Sequence, residues 1–166
     1  MADSTTQSAI STLNHLIETN KDGADGFRQA AEAVTNADAK ALFTSRVPAK
    51  ERAMAELQAA VRQLGGDPEA SGSVAAAVHR GFINIKSLVT GKDEAAIITE
   101  CLRGEELAVS HYEGALKHEL PADARALVRR QYDETVSHLA KVRALGDAYG
   151  ASEPTVAPKP DAARQA

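Results

Sequence analysis

The chain has 166 residues, of which 43% are hydrophobic, 25% are charged and 4% are aromatic, with a formal net charge of −4. This length suits one globular domain, and a composition with few aromatic residues and no Trp favours packed helices over a β-sheet. The acidic balance, without a cluster of basic residues, argues against nucleic-acid binding.

Two helices are predicted in the first part of the chain. Apolar residues at alternating three- and four-residue steps predict a first helix over about residues 5–34, in which Asn20 occupies an apolar position. The same pattern predicts a second helix, in which Lys50 occupies an apolar position and which ends at residues 65–68. Pro48 lies within this second pattern, so we expect a kink there or a shorter first turn.

The connection after the second helix is too long for a tight turn and has a pattern of its own. Residues 73–89 read as a short helix with one apolar face that four long helices do not need to close their core. We expect this face to pack across the bundle or against another subunit, and we favour a homodimer; a partner protein is a further alternative. The face comprises Val74, Val78, Phe82, Ile85 and Leu88.

Two more helices are predicted in the second part, one over about residues 93–119 and one over about residues 124–149. Two short loops and one long crossover describe two antiparallel hairpins, which is the ferritin-like connectivity of a four-helix bundle. We therefore predict an all-α bundle domain over residues 1–150. Residues 151–166 are rich in Pro and Ala and have no periodicity, so a disordered tail is expected.

Several polar residues fall in the apolar stripes of these helices and predict an interior polar layer. In an antiparallel hairpin, residues equally distant from the turn lie at the same height. This rule places Glu105 level with His138 and Tyr112 level with Gln131. The Glu105 carboxylate can hold His138 as an imidazolium or fix its tautomer. The interpretation we favour is a hydrogen-bonded layer that sets helix register. Its members are Asn20, Glu105, Tyr112, Gln131 and His138.

A metal site is the alternative interpretation of the same residues. Glu18 and Glu51 are 33 residues apart, and Glu105 and His138 are also 33 apart, so corresponding side chains of the two hairpins lie at matching heights. These four residues are the candidate ligands of an iron or manganese centre. Against this, the chain contains no Glu-x-x-His motif, and Met54 stands where a histidine would complete one after Glu51.

The remaining histidines and the single cysteine are assigned no chemistry. His15, His111 and His118 are expected on outer faces, and Cys101 lies among apolar residues as a buried thiol. The first eight residues lack the basic and apolar regions of a signal peptide, and no apolar run could span a bilayer. We therefore expect a cytoplasmic protein without a membrane association.

Several short motifs together resemble a known family. They are residues 13–18 (LNHLIE), 65–68 (GGDP), 79–84 (HRGFIN) and 104–106 (GEE) with Tyr112, then 120–121 (LP) and Gln131 with His138. The chain resembles, over about residues 9–148, a bacterial domain-of-unknown-function family of ferritin-like four-helix-bundle proteins. The resemblance implies the fold and no established activity, although the wider ferritin-like group includes iron-storage and di-iron oxidase members.

We therefore predict a broad class of protein rather than a specific activity. The chain is expected to be a non-catalytic structural, stress-associated or interaction protein, since the metal-ligand pattern is incomplete. A di-metal carboxylate protein that handles iron or oxygen is the first alternative, and a partner-binding adaptor that uses the helix at 74–89 is the second. The residues alone leave open whether the chain is an enzyme.

Overall fold

A computed structural model describes residues 3–68 and 93–150, and the chain forms four long helices within these ranges. They are α1 (Ser4–Ala33), α2 (Ala37–Gln63), α3 (Glu94–Leu116) and α4 (Ala122–Ala148). α1 packs against α2 and α3 packs against α4, while α1 also contacts α3 and α2 also contacts α4. α2 and α3 therefore lie diagonally across the bundle, as do α1 and α4. The predicted all-α bundle of two hairpins is confirmed.

Some predictions fall on parts of the chain outside the described residues. These are the short helix at 73–89, its apolar face of Val74, Val78, Phe82, Ile85 and Leu88, and the tail at 151–166. The homodimer and the adaptor surface that depend on this face therefore remain predictions. No helix in residues 3–68 or 93–150 is long and apolar enough to cross a membrane.

The helix ends follow from local side-chain chemistry. The side chain of Asn36 accepts a hydrogen bond from the backbone N–H of Ala39 at 3.0 Å and so caps the start of α2. α2 ends at a turn in which Gly65 has a φ of +79°, a conformation that glycine adopts without steric cost. Pro48 lies inside α2, which begins eleven residues before it, so the shorter first turn that we expected is not formed.

The core consists of two apolar clusters at opposite ends of the bundle. One cluster lies near the α1–α2 turn and contains Phe27 and Phe43, whose ring centroids are 5.7 Å apart. The other lies near the α3–α4 turn and contains Leu13, Leu57 and Val128. Polar residues occupy the middle of each helix between these clusters. The fold thus places a polar layer at mid-height, closed by apolar packing above and below.

Candidate functional site

A chain of hydrogen bonds crosses the bundle at mid-height and contacts all four helices. Asn20 Nδ2 on α1 donates to the Tyr112 hydroxyl on α3 at 2.7 Å, and that hydroxyl donates to Gln131 Oε1 on α4 at 2.9 Å. Gln131 Nε2 then donates to the carbonyl oxygen of Ala53 on α2 at 3.1 Å. All three side chains are buried, so each bond satisfies a group that would otherwise be costly to desolvate.

Tyr112 is the central member of this chain. Asn20 also donates to the carbonyl oxygen of Leu16 at 2.8 Å, so its amide is held by its own helix and by Tyr112 together. Burial raises the pKa of Tyr112 far above its ordinary value, which keeps the hydroxyl proton available for Gln131. The structure thus brings together Tyr112 and Gln131, the pair expected at one height of the second hairpin.

A second group of polar side chains, the charge cluster, consists of Arg46, Lys50 and Glu105. Glu105 on α3 is fully buried and accepts a hydrogen bond from Arg46 Nη2 on α2 at 2.6 Å. Lys50 Nζ, one turn further along α2, lies 3.3 Å from Oε1 and 3.2 Å from Oε2 of the same carboxylate. The geometry is that of a hydrogen bond only at Oε1, and Oε2 has no hydrogen-bond partner within residues 3–68 and 93–150. These contacts run diagonally across the bundle.

The pKa values show that Coulomb attraction opposes a large cost of burial in this cluster. Burial alone would raise the pKa of Glu105, but the positive charges of Lys50 and Arg46 hold it below its ordinary value, so it is ionised. The pKa of Lys50 is lowered, chiefly by burial, and Glu105 offsets only part of that shift. Two buried cations thus share one carboxylate.

The sequence pattern does not predict Arg46 as an interior residue, although it places Lys50 in an apolar position of the second helix. Arg46 precedes Lys50 by four residues and therefore lies on the same face of α2. Its guanidinium carbon lies 5.8 Å from the centroid of the Phe27 ring, and its Nε is buried without a hydrogen-bond partner in the described part of the chain. The position of Lys50 in the apolar stripe was the signal that could have identified both.

His138 is the member of the predicted layer that the structure places differently. Glu105 forms hydrogen bonds to α2 and none to His138. The buried Nδ1 of His138 has no hydrogen-bond partner among the residues that the structure describes. Burial, assisted by the charge of Arg46, lowers the pKa of His138 to about 4, although Glu105 acts in the opposite direction. The expectation that His138 pairs with Glu105 as an imidazolium is therefore corrected. His138 is neutral near pH 7, and Arg46 and Lys50 contact the Glu105 carboxylate instead.

Two histidines should make the protein sensitive to acid. The pKa of His138 is about 4, and that of His111 is lowered to about 4 by burial and by the nearby His15. Both would titrate near 6.5 in the unfolded chain, which therefore binds protons that the folded chain does not bind as the pH falls from 6.5 to 4. The contribution of these two histidines to the free energy of unfolding should decrease across this window and be lost below it.

We expect each histidine to contribute roughly 1–2 kcal/mol to this loss, since both rings are only partly buried and solvent screens part of the effect. Urea unfolding at pH 7 and pH 5 measures the change. His138→Gln and His111→Asn should each reduce the difference between the two pH values. The exposed His118 serves as control, and an equal reduction in His118→Asn would contradict the assignment.

The four candidate metal ligands are not brought together. Glu51 lies at the surface and pairs with Arg28 at 2.7 Å, while Glu105 is held by the charge cluster. Glu18 is half-buried on α1, and His138 makes no bond to Glu105. In the part of the chain that the structure describes, no three or more His, Cys, Asp or Glu side chains form a group that could hold a metal. The structure therefore does not support one metal-ligand set made of Glu18, Glu51, Glu105 and His138. Its buried carboxylate, Glu105, already has cationic partners.

The fold is similar to a known structure. It resembles the crystal structure of a two-domain protein from Anabaena variabilis that contains DJ-1/ThiJ/PfpI-like and ferritin-like domains, with a TM-score of 0.71 and 18% sequence identity. The match covers 98% of this chain and 42% of that protein, so the chain spans less than half of its length. This likeness shows the ferritin-like fold. No curated protein matches the chain.

The sequence itself matches a family model described as "Domain of unknown function (DUF2383)" over residues 8–118. This range contains most of α1, all of α2 and α3, and most residues of both polar groups described above. Since the match extends over more than half of the 166 residues, the chain belongs to the DUF2383 family and has a ferritin-like four-helix fold.

Proposed function

We propose that this protein is a non-catalytic structural or interaction protein, and that its interior polar residues serve folding rather than chemistry. The observation that supports this proposal is the pairing of Glu105 with both Arg46 and Lys50. Glu105 is the only buried carboxylate in the described part of the chain. A metal centre in the core would require it as a ligand, and it is already neutralised.

Electrostatics argues against the di-metal alternative at this position. Ferritin-like di-metal centres use several inward carboxylates to compensate the charge of the ions. Here the charge cluster sets one carboxylate against two basic side chains, so it offers a metal ion no net negative charge. An added divalent cation would remain uncompensated in a medium of low dielectric constant, where electrostatic interactions are strong. Iron or manganese handling in the core is therefore disfavoured.

Acid–base catalysis by the same residues is disfavoured by their pKa values and by their burial. A general base works best when its pKa lies near the working pH, and the pKa of Glu105 is shifted away from neutrality. Glu105 and Tyr112 are also fully buried, so a substrate could not reach them without opening the bundle. Fixed positions and closed surroundings suit a structural role.

The similar structure supports an interaction role in a general way. In that protein a ferritin-like domain accompanies a DJ-1/ThiJ/PfpI-like domain, which is consistent with use of this fold as a module beside another domain. The candidate contact surface in this chain is the predicted apolar face at 74–89. A homodimer and a separate protein partner are the two occupants expected there.

Ferrous-iron oxidation tests the non-catalytic proposal. We expect the metal-free protein to oxidise added Fe²⁺ in air no faster than buffer does, because no described carboxylate set can bind iron in the core. The absorbance of the ferric product measures the rate. Glu105→Gln should leave this background rate unchanged. Oxidation clearly above background in the wild type would contradict the proposal, and its loss in Glu105→Gln would revive a catalytic core.

A further inference from the structure

An outer groove between α1 and α3 brings two histidines together. The rings of His15 on α1 and His111 on α3 have centroids 4.5 Å apart and are tilted by 58°. Both side chains are half-buried, and the groove encloses about 470 Å³. Its other polar lining residues are Ser8, Ser11, Thr12, Ser110 and His118. This groove is separate from the polar layer in the core, and the proposed function does not use it.

The hydrogen bonds of Thr19 determine the tautomer of His111. Thr19 Oγ1 donates its single proton to the carbonyl oxygen of His15 at 3.0 Å. It also lies 2.9 Å from His111 Nδ1, so at this contact it must accept, and Nδ1 carries the proton. The other ring nitrogen, Nε2, then has a free lone pair. Metal-binding histidines commonly show this arrangement, with one ring nitrogen donating to an oxygen and the other binding the ion.

His15 supplies a second imidazole whose hydrogen bonding is incomplete. Its Nδ1 is buried and has no hydrogen-bond partner among the described residues. An unpartnered polar atom in such a position costs free energy, and a bound ligand could compensate that cost. Burial lowers the pKa of His15, as it does that of His111, so both rings are neutral near pH 7. Neutral imidazole is the form that binds metals.

We propose that His15 and His111 together bind one divalent transition-metal ion of the kind that prefers imidazole, namely Cu²⁺, Ni²⁺ or Zn²⁺. No third His, Cys, Asp or Glu joins them in the described ranges, so water and groove hydroxyls complete the coordination. Such a site is open on one side, which suits an exchangeable ion rather than a structural one. Thr19 acts as the positioning residue that fixes the ring of His111.

Metal titration of the full-length, untagged protein tests the site. Calorimetry with Cu²⁺ and with Zn²⁺ should show saturable binding of one ion per chain for at least one of them. His15→Ala and His111→Ala should each weaken binding at least about tenfold, and Thr19→Val about 10–100-fold. Circular dichroism checks that each variant is folded. The EPR spectrum of the Cu²⁺-loaded wild type should show two nitrogen ligands, and this readout does not depend on any variant.

His118→Ala is the matched control, because His118 lines the same groove. It lies seven residues after His111 along the chain, about 10 Å further in a helical geometry, and so should not reach the same ion. Its replacement should leave the affinity unchanged. Absence of saturable binding by the wild type, binding that survives His15→Ala and His111→Ala, or an equal loss in His118→Ala would each overturn the proposal.

Discussion

Glu105→Gln is expected to lower the free energy of unfolding by about 3–5 kcal/mol, the typical cost of removing one partner of a buried ion pair. The change preserves the shape of the side chain but removes the one buried negative charge that, in the described part of the chain, compensates Arg46 and Lys50. Both cations would then remain buried without a counter-charge. Urea denaturation followed by circular dichroism measures the loss, which is a large part of the 5–15 kcal/mol typical of a domain.

Glu51→Gln provides a matched control for this prediction. Glu51 makes an ion pair with Arg28 at 2.7 Å, but both side chains are about half exposed to solvent. Surface pairs of this kind contribute about 0–1 kcal/mol, so this variant should remain close to the wild type. Equal losses in the two variants would contradict a special role for the buried carboxylate.

Tyr112→Phe is expected to lower the free energy of unfolding by about 1–3 kcal/mol without creating a cavity. The hydroxyl is the only link between Asn20 and Gln131, and its removal leaves Gln131 Oε1 without a donor in the core. Thermal or urea unfolding measures the change. We also expect faster hydrogen exchange in the middle of the bundle, since the four helices lose their common hydrogen-bonded connection.

Tyr132→Phe is the control for this prediction, because it removes a tyrosine hydroxyl that is not part of the buried hydrogen-bond chain. Tyr132 lies on α4, and its hydroxyl donates to Glu113 at 3.2 Å near the surface. Water can replace that bond, so a change within about 0.5 kcal/mol is expected. A Tyr112→Phe variant as stable as Tyr132→Phe would show that the hydrogen-bond chain contributes nothing to folding.

The fold could be predicted because local patterns and global packing agree. The apolar periodicity of each helix, the Asn36 cap and the stop at Gly65 are local signals that the folded chain retains. The same periodicity revealed Asn20 and Gln131 as interior polar residues, since each interrupts an otherwise apolar stripe. Element type and core membership are thus encoded over short distances along the chain.

The partners of Glu105 could not be predicted by the same means. The rule of equal heights applies within a hairpin, and it correctly joined Tyr112 to Gln131 across the short α3–α4 turn. Arg46 and Lys50 lie on α2, which is diagonal to α3 and joined to it by a long connection. No simple spacing rule relates the two helices, and the rule of equal heights predicts His138 as the partner of Glu105 instead.

The contact between His15 and His111 was missed for a related reason. The two residues lie on different hairpins, and each looks like an ordinary polar residue on an outer face. Their approach depends on how α1 packs beside α3, which the sequence pattern does not specify. Thr19, one turn after His15, gave no separate signal because threonine is common on helix surfaces.

A double-mutant cycle between Glu105→Gln and Lys50→Met tests most directly whether the buried polar residues are a compensated structural cluster. For Lys50, the cost of burying the ammonium group exceeds the attraction by Glu105. Lys50→Met alone should therefore leave the free energy of unfolding unchanged or raise it. The double variant should recover much of the loss caused by Glu105→Gln, with a coupling of at least about 1 kcal/mol. If the change in the free energy of unfolding of the double variant equals the sum of the two single changes within about 0.5 kcal/mol, the account is contradicted.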